Sequence, residues 1–192
     1  HPQLDVRLTV ATAVRSVDES RAGRVDAGLL TLPVEESDLV TVPVLREELL
    51  LVTMPSHPLA KSRRILPADL AGQPFVLFEA GSATRRVIDS FFVMEKIEPT
   101  MVMDTENVEI IKAMVKTGLG IAIVPYQAIA REVRAGQFFC ARIEGHELVR
   151  DTGWVYARAN RVPRMITELL TAFDEIKGRL QLAPKKKPGR AG

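Results

Sequence analysis

Three polar side chains, Ser82, Thr84 and Arg85, stand together at the start of a predicted helix. The first amide groups of a helix have no acceptors within it, and the positive end of the helix dipole favours an anion. Arg85 adds a planar donor that matches a carboxylate. Ser82 alone is also typical of a helix N-cap, but residue 85 is neither Glu nor Gln, so no capping box is completed. The run therefore allows two interpretations, a carboxylate site or a plain helix cap.

Two further corners carry hydroxyl or amide side chains at predicted strand ends. Thr31 ends a buried strand just before Pro33, while Thr105 and Asn107 stand between a strand and a helix. In open α/β sheets, ligands bind beyond the carboxyl ends of the strands. We therefore expect these residues to line a binding cleft, although Thr31 also suits an ordinary turn and Asn107 a helix cap.

The remaining reactive side chains form no familiar catalytic or metal-binding pattern. His1, His57 and His146 are far apart in the sequence, and none has a partner at the spacing of metal ligands. The single cysteine, Cys140, follows two phenylalanines and fits a small buried hydrophobe better than a nucleophile. The sequence contains no nucleophile elbow, phosphate loop or dinucleotide fingerprint. We therefore expect no metal, no cofactor and no catalysis.

The stretch 105–125 predicts the helix and strand that position the third corner. Asn107 is a good N-cap, and branched apolar residues recur at helical spacing as far as Val115. Gly118 suits the left-handed position that ends a helix, and the apolar run 119–124 then fits a strand covered on both sides. Helix, tight turn and buried strand are typical of an α/β fold.

The rest of the chain alternates strand and helix patterns. Alternating apolar residues at 4–10 and a buried run at 25–30 flank a short helix at 12–22, so these two strands should be parallel with a right-handed crossover. Two separate strands, 39–45 and 48–54, follow. The later predictions are, in order, a helical turn at 67–70, a strand at 75–78, a helix after residue 82 with Val87, Phe91 and Met94 inward, a strand at 100–103, a helix at 126–135, strands at 137–143 and 151–158, and a long helix at 162–180.

Length and charge limit the class of protein. A chain of 192 residues that is 46% hydrophobic can bury one good core or two small ones. No apolar run approaches the roughly 18 residues of a membrane span, and the first residues do not resemble a signal peptide, so we expect a cytoplasmic protein. Without the segment from Pro184, the formal net charge falls from +2 to −2. Residues 181–192 are therefore predicted to be a disordered basic tail, and the acidic body lacks the basic face that DNA binding requires.

Several pieces of the chain together resemble the effector-binding domain of LysR-type transcriptional regulators. The resemblance runs to about residue 180, and its most specific part is the combination of His-Pro-Leu-Ala at 57–60 with Gly-Leu-Gly-Ile at 118–121. The pieces that carry it are residues 23–29, 48–55, 57–60, 81–85 and 115–125, followed by the long carboxy-terminal helix.

The resemblance implies an α/β fold of the type 2 periplasmic-binding-protein kind. Lobe I would comprise residues 1–47 and 157–180 and lobe II residues 48–156, each a mixed sheet flanked by helices, joined by two crossover strands. A small, anionic effector would bind in the cleft, contacted by Thr31, Ser82, Thr84, Arg85, Thr105 and Asn107. The family also implies homodimers and tetramers, and contact with DNA only through an amino-terminal winged helix-turn-helix that these residues do not include. The first strand and helix of the domain are likewise not recognised.

Two alternatives remain open at this point. A solute-binding receptor of a transporter has a similar fold but would carry an export signal. An enzyme on the same lobes would need a positioned acid or base, and the candidates Glu79 and Glu106 show no pairing in the sequence that marks them as catalytic.

Overall fold

The protein is described by a computed structural model that covers residues 7–158, 164–180 and 182. Helices and strands alternate along it: α1 Ala13–Arg21, β1 Gly28–Thr31, β2 Leu39–Thr53, β3 Pro74–Phe78, α2 Ala83–Glu95, β4 Thr100–Thr105, α3 Val108–Lys116, β5 Ala122–Pro125, α4 Tyr126–Arg134, β6 Phe139–Ala141, β7 Val149–Ala157 and α5 Arg164–Lys177, with 3-10 helices at Pro58–Lys61 and Pro67–Leu70. Within the described ranges, no helix is long and apolar enough to cross a membrane. The first residues of the predicted strand at 4–10, the start of the predicted helix at 162–180 and all of the predicted tail except Leu182 lie outside the described residues.

The chain divides into two compact units. Among the described residues, unit 1 contains 7–45 and 151–180 without 159–163, and unit 2 contains 46–150 and Leu182. Two strands, β2 and β7, each contain residues of both units.

Unit 1 is built on the antiparallel pairing of β1 with β7, in which Leu29 lies opposite Trp154. The predicted parallel strand is wrong over residues 7–10, which form no strand. Their apolar side chains Leu8 and Val10 are 91% and 93% exposed. An alternating pattern makes a strand only where a neighbouring strand supplies hydrogen bonds, and the described part of the chain offers residues 7–10 none.

Unit 2 joins two sheets into one core. Within it, β2 pairs antiparallel with β5 and with β6, while β3 and β4 form a parallel pair. Ile121, just before β5, connects the sheets: its amide donates to Pro74 O at 2.8 Å and its carbonyl accepts from Val76 N at 2.9 Å. Phe75, Phe91 and Ile111 are almost fully buried in the shared core.

Two predictions for unit 2 are corrected by the structure. The predicted break between strands 39–45 and 48–54 is absent, because Glu47 and Glu48 are buried within the continuous β2 as partners of Arg150 and Arg142. Met94 was predicted to face inward on α2 but is 62% exposed, and the buried face of this helix instead uses Ile88, Phe91 and Phe92. Charged residues in a strand therefore do not mark its end when they are paired.

The close approach of Gly120 to β3 gives a test of this arrangement. A Cβ at position 120 would lie 2.6 Å from Pro74 O, a backbone atom that cannot move aside without disturbing the connection between the sheets. Gly120→Ala should lower the free energy of unfolding by about 1–3 kcal/mol, measured by urea denaturation. Gly178→Ala is the matched control because nothing lies within 4 Å of its Cβ. Equal stability of the two variants would contradict the described packing.

Candidate functional site

The carboxyl ends of β3 and β4 lie side by side in unit 2, with Phe78 opposite Thr105. The amide of Glu79 donates to Thr105 O at 3.2 Å, so the segments that leave the two strands stay together. We call residues 79–85 and 105–107, together with Arg150, the polar edge. It brings together five of the six predicted site residues.

Ser82 caps helix α2, as one of the two interpretations of the sequence required. Its Oγ accepts a hydrogen bond from Arg85 N at 3.1 Å. The first i−4 bond of the helix runs from Arg86 N to Ser82 O, so the amides of Ala83 and Thr84 have no acceptor within the helix. The start of α2 therefore keeps two backbone donors beside a hydroxyl.

Arg85 folds back on its own helix instead of projecting as an unpaired donor. Its Nη1 donates to Phe78 O at 2.8 Å and its Nε to Asp89 Oδ1 at 2.7 Å. Asp89 lies one turn further along α2, at the spacing that favours an ion pair. The Arg85 charge is thus already balanced, and its contact with an effector stays a prediction.

Arg150 is a residue of the polar edge that the sequence analysis missed. Its Nη1 donates to Thr84 Oγ1 at 2.8 Å and its Nε to Glu47 Oε2 at 2.9 Å. Thr84 is only 4% exposed, so this hydroxyl fixes the guanidinium of Arg150 against the start of α2. Arg150 lies 66 residues from Thr84 in the chain. No local spacing in the sequence indicates this contact.

Thr105 and Asn107 form the third corner, and both take part in turn geometry. Thr105 Oγ1 accepts from Asn107 N at 3.2 Å, and Asn107 Oδ1 accepts from Glu109 N at 2.9 Å. Thr31 is the last residue of β1 and pairs in register with Thr152, both in unit 1. The role of all three residues in binding stays a prediction.

Two glutamates also meet at the polar edge. Glu79 and Glu106 are both exposed, and their carboxyl groups lie close enough to interact. Loss of solvent around the Glu106 carboxyl raises its pKa above the ordinary value of 4.5. The neighbouring Glu79 carboxyl raises this pKa further, because it can accept a hydrogen bond from the protonated form and repels the charged form. The expectation that neither residue is catalytic stays a prediction. The alignment of β3 with β4 brings them together, and the sequence alone does not reveal that alignment.

The opposed glutamates predict a pH-dependent stability. A carboxyl group whose pKa is raised in the folded state does not lower the free energy of unfolding at a pH below its ordinary pKa. It lowers this free energy as the pH rises through the raised pKa of the folded state. Glu106→Gln should therefore raise the midpoint of thermal unfolding at pH 7, and the gain should disappear by about pH 4.

Differential scanning calorimetry at both pH values measures this effect, with the exposed Glu98→Gln as the control that leaves the midpoint unchanged. A lower midpoint for Glu106→Gln at pH 7, or a gain that persists unchanged at pH 4, would contradict the pairing.

Comparison with known proteins identifies the family. The model of the LysR substrate binding domain matches residues 1–176. The HTH-type transcriptional regulator YeiE of Escherichia coli (strain K12), itself uncharacterized, is 28% identical over 174 residues, which cover 91% of this chain and 59% of that protein. The chain thus spans about three-fifths of the length of this relative.

Two solved structures share the fold. The regulatory domain of CcmR from Synechocystis PCC6803, in complex with 2-PG, superimposes with a TM-score of 0.82 at 20% identity, covering 92% of this chain and 85% of that one. The effector binding domain of QuiR, in complex with shikimate, gives a TM-score of 0.74 at 20% identity, covering 88% and 79%. The predicted α/β fold of the type 2 periplasmic-binding-protein kind is confirmed.

The match over residues 1–176 also confirms the resemblance found in the sequence: the chain belongs to the LysR substrate-binding domain family.

Proposed function

We propose that this chain is the effector-sensing part of a LysR-type transcriptional regulator, and that its polar edge binds the acidic group of a small organic acid. The observation that carries the proposal is the placement of Arg150 by the buried hydroxyl of Thr84 at the start of α2. Membership of this family leads us to expect that the chain binds a ligand. The contact between Arg150 and Thr84 indicates which part of unit 2 would bind it.

The donors of the polar edge suit a carboxylate or similar anion. The amides of Ala83 and Thr84 offer two backbone N–H groups at the positive end of a helix dipole. Arg150 donates through Nε and Nη1 within the protein, and its guanidinium has a further nitrogen, Nη2, that can donate charge-assisted hydrogen bonds. Three such donors would match the several lone pairs of one acidic group.

The glutamate pair sets a condition on the effector. Glu79 and Glu106 add negative charge at the same edge, and loss of solvent and their mutual repulsion raise the pKa of Glu106. Their carboxyl oxygens accept hydrogen bonds, so we propose an effector that carries hydroxyl donors beside its acidic group. Thr31, Ser82, Arg85, Thr105 and Asn107 remain the further proposed contacts.

Two or three charge-assisted hydrogen bonds contribute about 1.5–3 kcal/mol each, from which the cost of association is subtracted. The resulting dissociation constant lies roughly between micromolar and millimolar. This range suits a sensor of a cytoplasmic metabolite.

Signal transmission would follow from differential binding. An effector that binds one arrangement of subunits better than another shifts the population toward that arrangement, with a coupling of about 1–3 kcal/mol. We propose that this chain forms homodimers or tetramers and that the shift moves DNA-binding domains outside these 192 residues. The family match favours this role over a transport receptor, and the relatives are regulators, not enzymes.

A screen of small hydroxy acids against thermal stability should identify an effector, and Thr84→Val should then weaken its binding. The valine keeps the shape of the side chain but releases Arg150, which loses one hydrogen bond that holds it in place. We expect the dissociation constant from calorimetry to rise about tenfold, which corresponds to about 1.4 kcal/mol. The primary amide of the same acid should bind at least as weakly to the parent chain, because it carries no negative charge.

Ser90→Ala is the matched control, since Ser90 Oγ lies on the same helix and donates to Arg86 O. This variant should bind like the parent. Unchanged binding by Thr84→Val, or equal binding of the acid and its amide, would overturn the proposed site. Recovery of the acid unchanged after long incubation separates sensing from turnover at the Glu79 and Glu106 pair.

Effector binding should also change the assembly of the chain in solution. Sedimentation velocity with and without the identified acid measures the distribution of monomers, dimers and tetramers. The proposed transmission requires either a shifted distribution or a changed sedimentation coefficient of one species. Identical profiles at saturating acid would contradict transmission through the oligomer while leaving the binding site itself intact.

A further inference from the structure

A pocket of about 160 Å³ lies in unit 2 away from the polar edge. It is formed by the turn after β2, the first residue of β3 and the carboxyl end of α3. Its lining residues are Met54, Ser56, His57, Pro74, Val115, Gly118 and Gly120. Pro74 begins β3 and Phe78 ends it, so the strand separates the pocket from the polar edge by about 13 Å.

Backbone constraints fix the walls of this pocket. Gly118 ends α3 with a φ of +77°, a conformation that side chains rarely adopt, and Met54 Sδ lies 3.5 Å from the position of its missing Cβ. Gly120 lies against Pro74 O in the connection between the two sheets. Because these positions are set by the fold, a ligand would find the pocket already formed.

His57 lines the pocket and has a ring nitrogen that can donate a hydrogen bond. Its Nδ1 accepts a hydrogen bond from Leu59 N at 3.2 Å and caps the 3-10 helix Pro58–Lys61. Burial lowers the pKa of His57 below its ordinary value, which favours the neutral form of the ring. A neutral ring that accepts at Nδ1 carries its proton on Nε2, and that N–H is the group left for a ligand.

We propose that this pocket is a second small-molecule site, which takes a ring-sized, mostly apolar molecule with one oxygen that accepts a hydrogen bond from His57 Nε2. Apolar protein cavities of about 150 Å³ admit benzene, so the volume suits a six-membered ring with one substituent. Met54, Pro74 and Val115 supply apolar wall, while Ser56 and His57 supply the polar part. The site is independent of the acid site proposed above, since they share no residue.

Phenol and toluene are matched probes for this site. The two molecules have the same size, but only phenol carries an oxygen that accepts from His57. The chain contains six methionines, and labelling their methyl groups with carbon-13 gives one resonance each. The Met54 resonance reports on the pocket, and the Met101 resonance reports on the polar edge, because Met101 Sδ lies 4.0 Å from Arg85 Nη1.

We expect phenol to shift the Met54 resonance in a saturable way at millimolar concentration, with Met101 unmoved. Phenol should bind about five- to tenfold more tightly than toluene, as expected for one net hydrogen bond. The greater hydrophobicity of toluene would give the reverse order in a purely apolar pocket.

His57→Asn tests the donor directly. Asn keeps an oxygen where Nδ1 caps the 3-10 helix, which preserves the bond from Leu59 N, but it withdraws the donor from the Nε2 position. The preference for phenol should disappear in this variant while toluene binds as before. His146→Asn replaces a histidine of the same unit outside the pocket and should leave the preference intact.

The proposal would be overturned by no saturable shift of Met54 up to the solubility of phenol, by equal shifts of Met54 and Met101, or by a phenol preference that survives in His57→Asn. Loss of the dispersed spectrum in His57→Asn would leave the comparison of phenol with toluene on the parent chain as the deciding measurement. There, tighter binding of toluene overturns the proposal.

Discussion

The close contact between Gly120 and Pro74 O is the constraint on which unit 2 depends. It lets Ile121 exchange two hydrogen bonds with β3, and these bonds attach the parallel pair β3 and β4 to the antiparallel pairing of β2 with β5. The core residues Phe75 and Ile121 lie on this connection and are fully buried. A side chain at position 120 would force the sheets apart. Both proposed sites depend on this contact, because β3 carries the polar edge at one end and the pocket at the other.

Paired charges on β2 are the second determinant of the polar edge. Glu47 and Glu48 are both buried, and each binds an arginine from a distant part of the chain. A buried carboxylate costs several kcal/mol unless it is paired and hydrogen-bonded, so these glutamates require their arginines. Pairing with Glu47 fixes Arg150 where it reaches Thr84 at the start of α2. The same interaction thus satisfies a buried charge and positions the arginine of the proposed binding site.

The sequence predicted the local features of unit 2 well. The caps Ser82 and Asn107 form as expected, and α3 ends at Gly118 in the left-handed conformation, because each of these features depends on residues within one or two turns. The sequence did not predict contacts that depend on the alignment of distant segments, such as Arg150 with Thr84 or Glu79 with Glu106. An alternating apolar pattern also predicts a strand wrongly where no neighbouring strand pairs with it, as at residues 7–10.

The charge balance of the polar edge determines how an effector would be recognised there. Arg85 is paired with Asp89 and Arg150 with Glu47, so the edge presents no unpaired arginine among these contacts. Long-range attraction of any anion is therefore weak, and in the proposed site selection would fall to the directed donors of the first turn of α2 and to Arg150. Directed donors discriminate by geometry, since an acid of the wrong shape leaves them unsatisfied. A sensor of this kind would respond to one metabolite among many of similar charge, which is the discrimination that a transcriptional regulator needs.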